Sequence, residues 1–251
     1  VTAGLTSVVT TLFVLFCRIG GCIMTIPGFS SQRVPVRARL FIAIGLTVAL
    51  APALADVVTP VVENATPGGV LFVVLGELVI GVLIGSMARL FFFALETLTT
   101  AAAMTTGLGN ILGAAIEETE TLPAMSSFIM LGATTLIFVL DQHWEMIRGL
   151  FASYSAIPVR DGMPVDGMLR EYSNVLSQSF LLALRISSPF LLFGFIVNLA
   201  FGFLNRMTPS VPVYFVSTPL LIGLGIYWFY VMADDFFTAF ASAFGAWLLS
   251  G

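Results

Sequence analysis

Between Ala183 and Pro219 the chain reads ALRISSPFLLFGFIVNLAFGFLNRMTPSVPVYFVSTP. The run is apolar enough to lie in lipid. It nevertheless carries Arg185, Asn198, Asn205 and Arg206, with Pro189, Pro209, Pro212 and Pro219 as helix breakers. Polar and ionisable groups inside an apolar span are costly, and they are tolerated where they meet a partner or line a path. A helix that only crosses a bilayer needs none of them. The stretch therefore predicts a membrane chain built to pack against other polypeptide, folded here as a hairpin: one long helix, a Pro-rich reversal after Arg206, and a second helix from about Val213.

Composition supports the class. Of 251 residues, 58% are hydrophobic and 10% charged, whereas soluble domains carry about 25% charged residues. An integral membrane protein is the reading that avoids a large exposed apolar surface in water. All ten basic residues are arginines. Either the base composition of the coding genome or a preference for buried, fork-shaped pairing accounts for that. A net charge of −4 with no basic face excludes a nucleic-acid binder. Cys17 and Cys22 lie far round a helix from each other, which points to buried small hydrophobes rather than a disulfide. Residues 1–17 lack a positive n-region and a good cleavage site, so they do not read as a secretory signal.

Six helical segments and no strands follow from the apolar pattern. The first runs from about Thr2 to Ile26 and is interrupted by Arg18. The second is roughly Leu40–Ala55, ending at Pro52 and Asp56, with a loop from Asp56 to Gly69. The third starts near Val70 and has no strong breaker before Gly107–Gly113; thirty or more helical residues would span roughly 45 Å, more than a ~30 Å hydrocarbon core. A polar, glycine-bearing piece, Gly107 to Thr121, separates it from the fourth segment, Leu122 to about Tyr154. The fifth runs from Gly167 to about Asn205 and the sixth from Val213 to Leu249. Arg33, Arg37 and Arg39 before the second segment place that turn in the cytoplasm and the N-terminus outside.

Three constellations stand out. Glu77, Gly81, Gly85 and Arg89 recur every fourth residue and share one helical stripe. The glycine pair admits a close helix, and the flanking charges are placed to meet opposite charges on it; a lipid-facing pair with snorkelling ends is the other reading. The piece GLGNILGAAIEETET, from Gly107, is neither a dinucleotide nor a phosphate-loop motif. Lying between two apolar helices, it reads as a re-entrant or gating segment or as an ordinary solvent loop. Asp141, His143 and Glu145 look like an acid–base or metal group, but on a helix His143 points away from the two carboxylates. A helix end at the membrane interface, anchored by Trp144 and with a Glu145–Arg148 surface pair, fits better. No nucleophile–base set assembles.

The C-terminal block carries a resemblance. Ala183-Leu-Arg185-Ile-Ser-Ser-Pro189, Asn198-Leu-Ala-Phe-Gly202-Phe-Leu-Asn205-Arg206-Met-Thr-Pro209, Val213-Tyr-Phe-Val and Pro219-Leu-Leu-Ile are similar to the FliR family. Arg18, Pro27-Gly28-Phe29, Pro35, Arg37, Pro52, the Glu77-Gly81-Gly85 series, Gly107 and Gly113 extend the match over nearly the whole chain. Two departures are visible: Pro209-Ser210 and the additional Pro212 where the family commonly has Pro-Gln, and Glu117-Glu118-Thr119 where an Asp-Pro pair often stands.

The resemblance implies an all-α, non-enzymatic subunit of the bacterial flagellar type III export gate, without cofactor or metal. Its helical hairpins would join FliP and FliQ homologues in a hollow superhelix, residues 1–121 being the FliP-like part and 122–251 the remaining hairpins, including a FliQ-like C-terminal one. FlhA and FlhB homologues and unfolded export substrates are the further partners implied. The location implied is the inner membrane at the flagellar basal body, with much of the assembly on the periplasmic side. Gly107, Gly109, Asn110, Gly113, Glu117 and Glu118 would plug the closed channel. Glu77, Gly81, Gly85, Arg89, Arg185, Asn198, Arg206 and Pro209 would pack between subunits. Service in an injectisome, a small-solute transporter lined by Glu77, Arg89 and Arg185, and an intramembrane enzyme using His143 are the alternatives; the lack of an internal repeat weighs against the transporter.

Overall fold

The computed structural model describes residues 2–31, 34–107, 123–208 and 213–250. Among them the chain forms seven α-helices: α1 (Thr2–Thr25), α2 (Val36–Asn64), α3 (Pro67–Thr105), α4 (Ala124–Val139), α5 (Gln142–Ala156), α6 (Val165–Met207) and α7 (Val213–Ser250). Five of these helices are long and apolar enough to cross a membrane, and α4 with α5 qualifies as a sixth span only as a broken pair.

The all-helical expectation holds, with three corrections to the segments. Arg18 does not interrupt the first helix; α1 runs through it, and the side chain is buried. The second helix does not end at Pro52 and Asp56 but continues through Pro52 and Pro60 to Asn64. A proline removes one backbone donor and crowds one carbonyl, and apolar helices packed in protein or lipid absorb this. The expected Asp56–Gly69 loop therefore shrinks to a tight connection. Thr66 accepts the Gly69 N–H through its hydroxyl at 3.2 Å, and Pro67 occupies the first helical position, where no donor is needed. The fourth segment breaks in two at Leu140–Asp141, where Asp141 adopts a left-handed conformation (φ 56°); Asp is one of the few side chains that visits this region readily.

The chain folds as two compact units that interleave along the sequence: Val1–Leu90 with Asp141–Leu176 and Leu248–Gly251, and Phe91–Leu140 with Ser177–Trp247. In the first unit, α1 buries Val14, Leu15, Arg18, Ile19, Cys22 and Ile23, a stripe at helical spacing. Val14 and Leu15 pack with Leu54, Val58 and Val62 of α2, and with Tyr154 and Val159. Both cysteines are free thiols.

The second unit is held by aromatic side chains. Phe236, Phe240 and Phe244 recur every fourth residue of α7 and are all buried. Phe92 meets Phe240, and Phe91 meets Phe244, edge to face with ring centroids 5.4 Å apart. Phe190 of α6 lies 6.2 Å from Phe236, while Phe193 stacks on Trp228 at 5.4 Å. As one partner advances along α6 the other retreats along α7, so the two helices run antiparallel, as the hairpin reading of this stretch requires. Each such pair adds about 0.5–1.5 kcal/mol beyond its area burial.

Candidate functional site

The most polar buried site in the described residues is centred on Arg18. Its side chain is fully buried, and that of Glu77 is 3% exposed. The guanidinium grips the Glu77 carboxylate with two prongs: Nε donates to Oε2 at 2.5 Å and Nη2 to Oε1 at 2.7 Å. Nη1 donates to the Ser153 carbonyl at 3.0 Å and lies 3.3 Å from its hydroxyl oxygen. Nη2 also donates to the Ile157 carbonyl at 2.9 Å. The five N–H donors of an arginine are thereby all engaged, and the Tyr154 ring covers the guanidinium face with its centroid 4.2 Å from Cζ.

This site follows from local structure. Ser153 and Ile157 lie at the end of α5; the Ser153 carbonyl accepts the Ile157 N–H at 2.8 Å and takes Arg18 as a second donor, while the Ile157 carbonyl lies past the last turn. A cation there satisfies them and complements the negative end of the helix dipole. Glu77 is brought into reach because α1 and α3 come into backbone contact. A Cβ at Gly81 would collide with the Arg18 carbonyl oxygen, and one at Gly85 with the Thr25 hydroxyl and, at 2.6 Å, the Cys22 carbonyl. On the opposite helix, a Cβ at Gly21 would sit 2.9 Å from the Leu78 carbonyl. Only glycine leaves space for this approach. The result is a staple joining α1, α3 and α5.

The sequence stripe of Glu77, Gly81 and Gly85 thus finds its close helix and its opposite charge inside the chain, on α1, where partner subunits were expected. Arg18 carried the available signal: it and Glu77 are isolated opposite charges in otherwise apolar segments. Tyr154, Ser153 and Gly21 carried none that spacing alone could use. Arg89 is half-buried on α3. Asn198 is likewise engaged within the chain: its Nδ2 donates to the Thr105 carbonyl at 2.8 Å and the Gly194 carbonyl at 2.7 Å. It thereby secures the end of α3. Immediately beyond, Gly107 takes φ +74°, with Leu221 packed against it, a backbone state that other residues seldom adopt.

Of the remaining expected positions, Gly109, Asn110, Gly113, Glu117, Glu118 and Pro209 lie outside the described residues. Arg206 and Arg185 are exposed, on the last turn and the middle of α6. Glu145 and Arg148 form the surface pair read from their spacing, at 2.8 Å. No group of three or more His, Cys, Asp or Glu placed to hold a metal occurs among the described residues. The site engages every donor of Arg18 in structural bonds, so what it can do is hold three helices in register.

Fold and site together define a helical membrane protein in which a buried Arg18–Glu77 pair ties three helices together. The chain belongs to the bacterial export proteins, family 1, the family of the FliR proteins, which it matches over residues 9–247. The flagellar biosynthetic protein FliR of Caulobacter vibrioides is 32% identical over 214 residues, covering 84% of each chain. That of Aquifex aeolicus is 30% identical, over 86% of this chain and 82% of its own. The Yop proteins translocation protein T of Yersinia pestis is 26% identical, over 84% of this chain and 80% of its own.

Proposed function

We propose that this chain is a structural, non-enzymatic subunit of the bacterial flagellar type III export gate, helping to line and plug the channel through which unfolded flagellar proteins pass. The observation that carries the reading is the family match across residues 9–247. Relatives named FliR range from 21% to 32% identity and the injectisome relative stands at 26%; flagellar service rests on the two FliR proteins that reach 30% or more. The Arg18 site supports a structural role, since its polar groups are spent on one another. Its partners are FliP and FliQ homologues within the gate and FlhA and FlhB homologues beside it. It acts in the inner membrane at the basal body, much of the assembly standing on the periplasmic side. Arg206 and Pro209 contribute to packing between subunits, and the segment beginning at Gly107 contributes the plug.

Co-expression with the FliP and FliQ homologues of the same genome, followed by detergent extraction and affinity purification, tests this. All three chains are expected in one complex; a chain that folds yet never joins them overturns the proposal. Deleting Gly107–Gly113 is expected to leave assembly intact and make the closed gate leaky to small solutes. Unchanged membrane integrity in cells that assemble the mutant gate would remove the plug from the proposal.

A further inference from the structure

A cavity of about 370 Å³ opens between α6 and α7. Arg185 and Pro189 border it on α6 and Asp235 on α7, whose side of the groove also holds the small residues Ala239, Ser242 and Ala243. Arg185 and Asp235 are exposed, and neither makes an ion pair or side-chain hydrogen bond among the described residues. Both lie inside helices long and apolar enough to cross a membrane, where an unpaired charge is costly. Two charges of opposite sign thus border one groove, each short of a partner. This contrasts with Arg18, whose every donor is engaged.

The backbone beside Arg185 is built to bend. Pro189 lies inside α6 and has no N–H, so the Arg185 carbonyl loses its helical donor. The Ser188 hydroxyl takes that place and donates to the Arg185 carbonyl at 2.9 Å. A hydroxyl that rotates on its own side chain follows a change of helix angle where a fixed main-chain N–H does not. Sharp bends in long helices concentrate at such prolines. The turn of α6 that bends most easily therefore carries the cation, and it lies on the wall of the groove that holds the anion. The small side chains on the α7 side leave room for that turn to move in.

We infer that the groove is the open state of a latch: before neighbouring chains cover this face, α6 bends at Arg185–Pro189 toward α7, and Arg185 closes on Asp235 as an ion pair across the groove. Closure gives both charges a partner, and a guanidinium and a carboxylate meet with paired donors and acceptors. It also brings the apolar walls together, Ile186, Phe190 and Phe236 among them, and packing is what rewards helix contact in lipid. Charge pairing and packing thus favour one motion. Anything that docks into the groove must first break the pair, so the latch keeps the hairpin closed until a chain with complementary groups competes for it. The packing of Arg185 against another subunit, expected from the sequence, follows that opening. The inference stands apart from the export reading, because the pair forms within this one chain.

Pulsed electron–electron resonance on the full chain alone in lipid nanodiscs is the test. Cys17 and Cys22 are replaced by alanine, and spin labels are placed at Leu181 of α6 and Thr238 of α7, both exposed. A shorter, closed distance is expected beside the open one of this structure. Arg185→Gln and Asp235→Asn should each lower the closed-to-open ratio about tenfold, the loss of a charge-assisted contact. Arg185→Asp with Asp235→Arg should restore the closed population, although neither reversal does so alone. Pro189→Ala keeps both charges and returns the main-chain donor, so it should shift the ratio toward open. Labels at Val9 and Val57, exposed on α1 and α2, should keep one distance in every variant and show that the remaining fold is intact. A chain with both native charges that holds only the open distance overturns the inference. So does equal closure in all variants, or a double reversal that leaves the hairpin open while the Val9–Val57 distance is unchanged.

Discussion

At the scale of single residues, Arg18 shows how a charge survives in an apolar fold. Desolvating a guanidinium and a carboxylate is expensive, and their attraction offsets it only with near-ideal geometry and further hydrogen bonds. Both conditions are met here by the two-pronged contact and the carbonyls of Ser153 and Ile157. Arg18→Met should therefore cost about 3–5 kcal/mol by stranding the buried Glu77 carboxylate. Arg18→Met with Glu77→Leu should recover only part of this, because the Ile157 carbonyl loses the donor that Arg18 supplied. Thermal unfolding in detergent checks both; full recovery in the double variant would show that the α5 contacts contribute nothing. His143→Ala, by contrast, should leave swimming motility intact, and abolished export from a normally assembled gate would revive the enzyme reading.

At the scale of elements, the α1–α3 contact is set by glycines that permit backbone to meet backbone. Gly81→Leu should lose about 3 kcal/mol or more, since the clash is with the Arg18 main chain and no rotamer relieves it. On α2, a Cβ added at Gly45 would meet nothing within 4 Å, so Gly45→Ala should gain up to about 1 kcal/mol from helix preference alone. Comparing the two by residual fold after a heating series separates close approach from a general intolerance of side chains at glycine. The long elements are legible in the sequence because apolar runs of this length have few alternatives. Their ends are less so. Pro52 and Asp56 read as a stop, yet the helix passes through both, because a proline costs one bond while continued burial of Leu54, Val58 and Val62 outweighs it. The break at Asp141 is only partly legible: the charged run from Asp141 to Glu145 reads as a helix end, but no glycine or proline marks where the chain turns.

At the scale of the whole molecule, exposed apolar side chains are the dominant surface feature: Phe41, Phe72, Tyr230 and Met207 are each more than 70% exposed. Such a surface requires lipid or protein around it. Removing detergent without a bilayer or partner chains should drive the purified protein into aggregates, measured by light scattering, and co-assembled gate partners should delay that loss. A chain that stayed monomeric and folded in plain buffer would contradict the membrane assignment.

The sequence alone determined the class, the helical content, the hairpin of α6 and α7 and the resemblance to export proteins. All of these are written in local apolarity and in motifs short enough to read along the chain. Tertiary structure decided the partners. Glu77 announces a need for a cation, but nothing along the chain says whether Arg18 or another subunit supplies it. That choice depends on which helices come within ångströms of each other, and residues 59 positions apart meet only after three helices have packed. Arg185 of α6 and Asp235 of α7 border one cavity for the same reason: an antiparallel hairpin brings to one level what the sequence holds far apart.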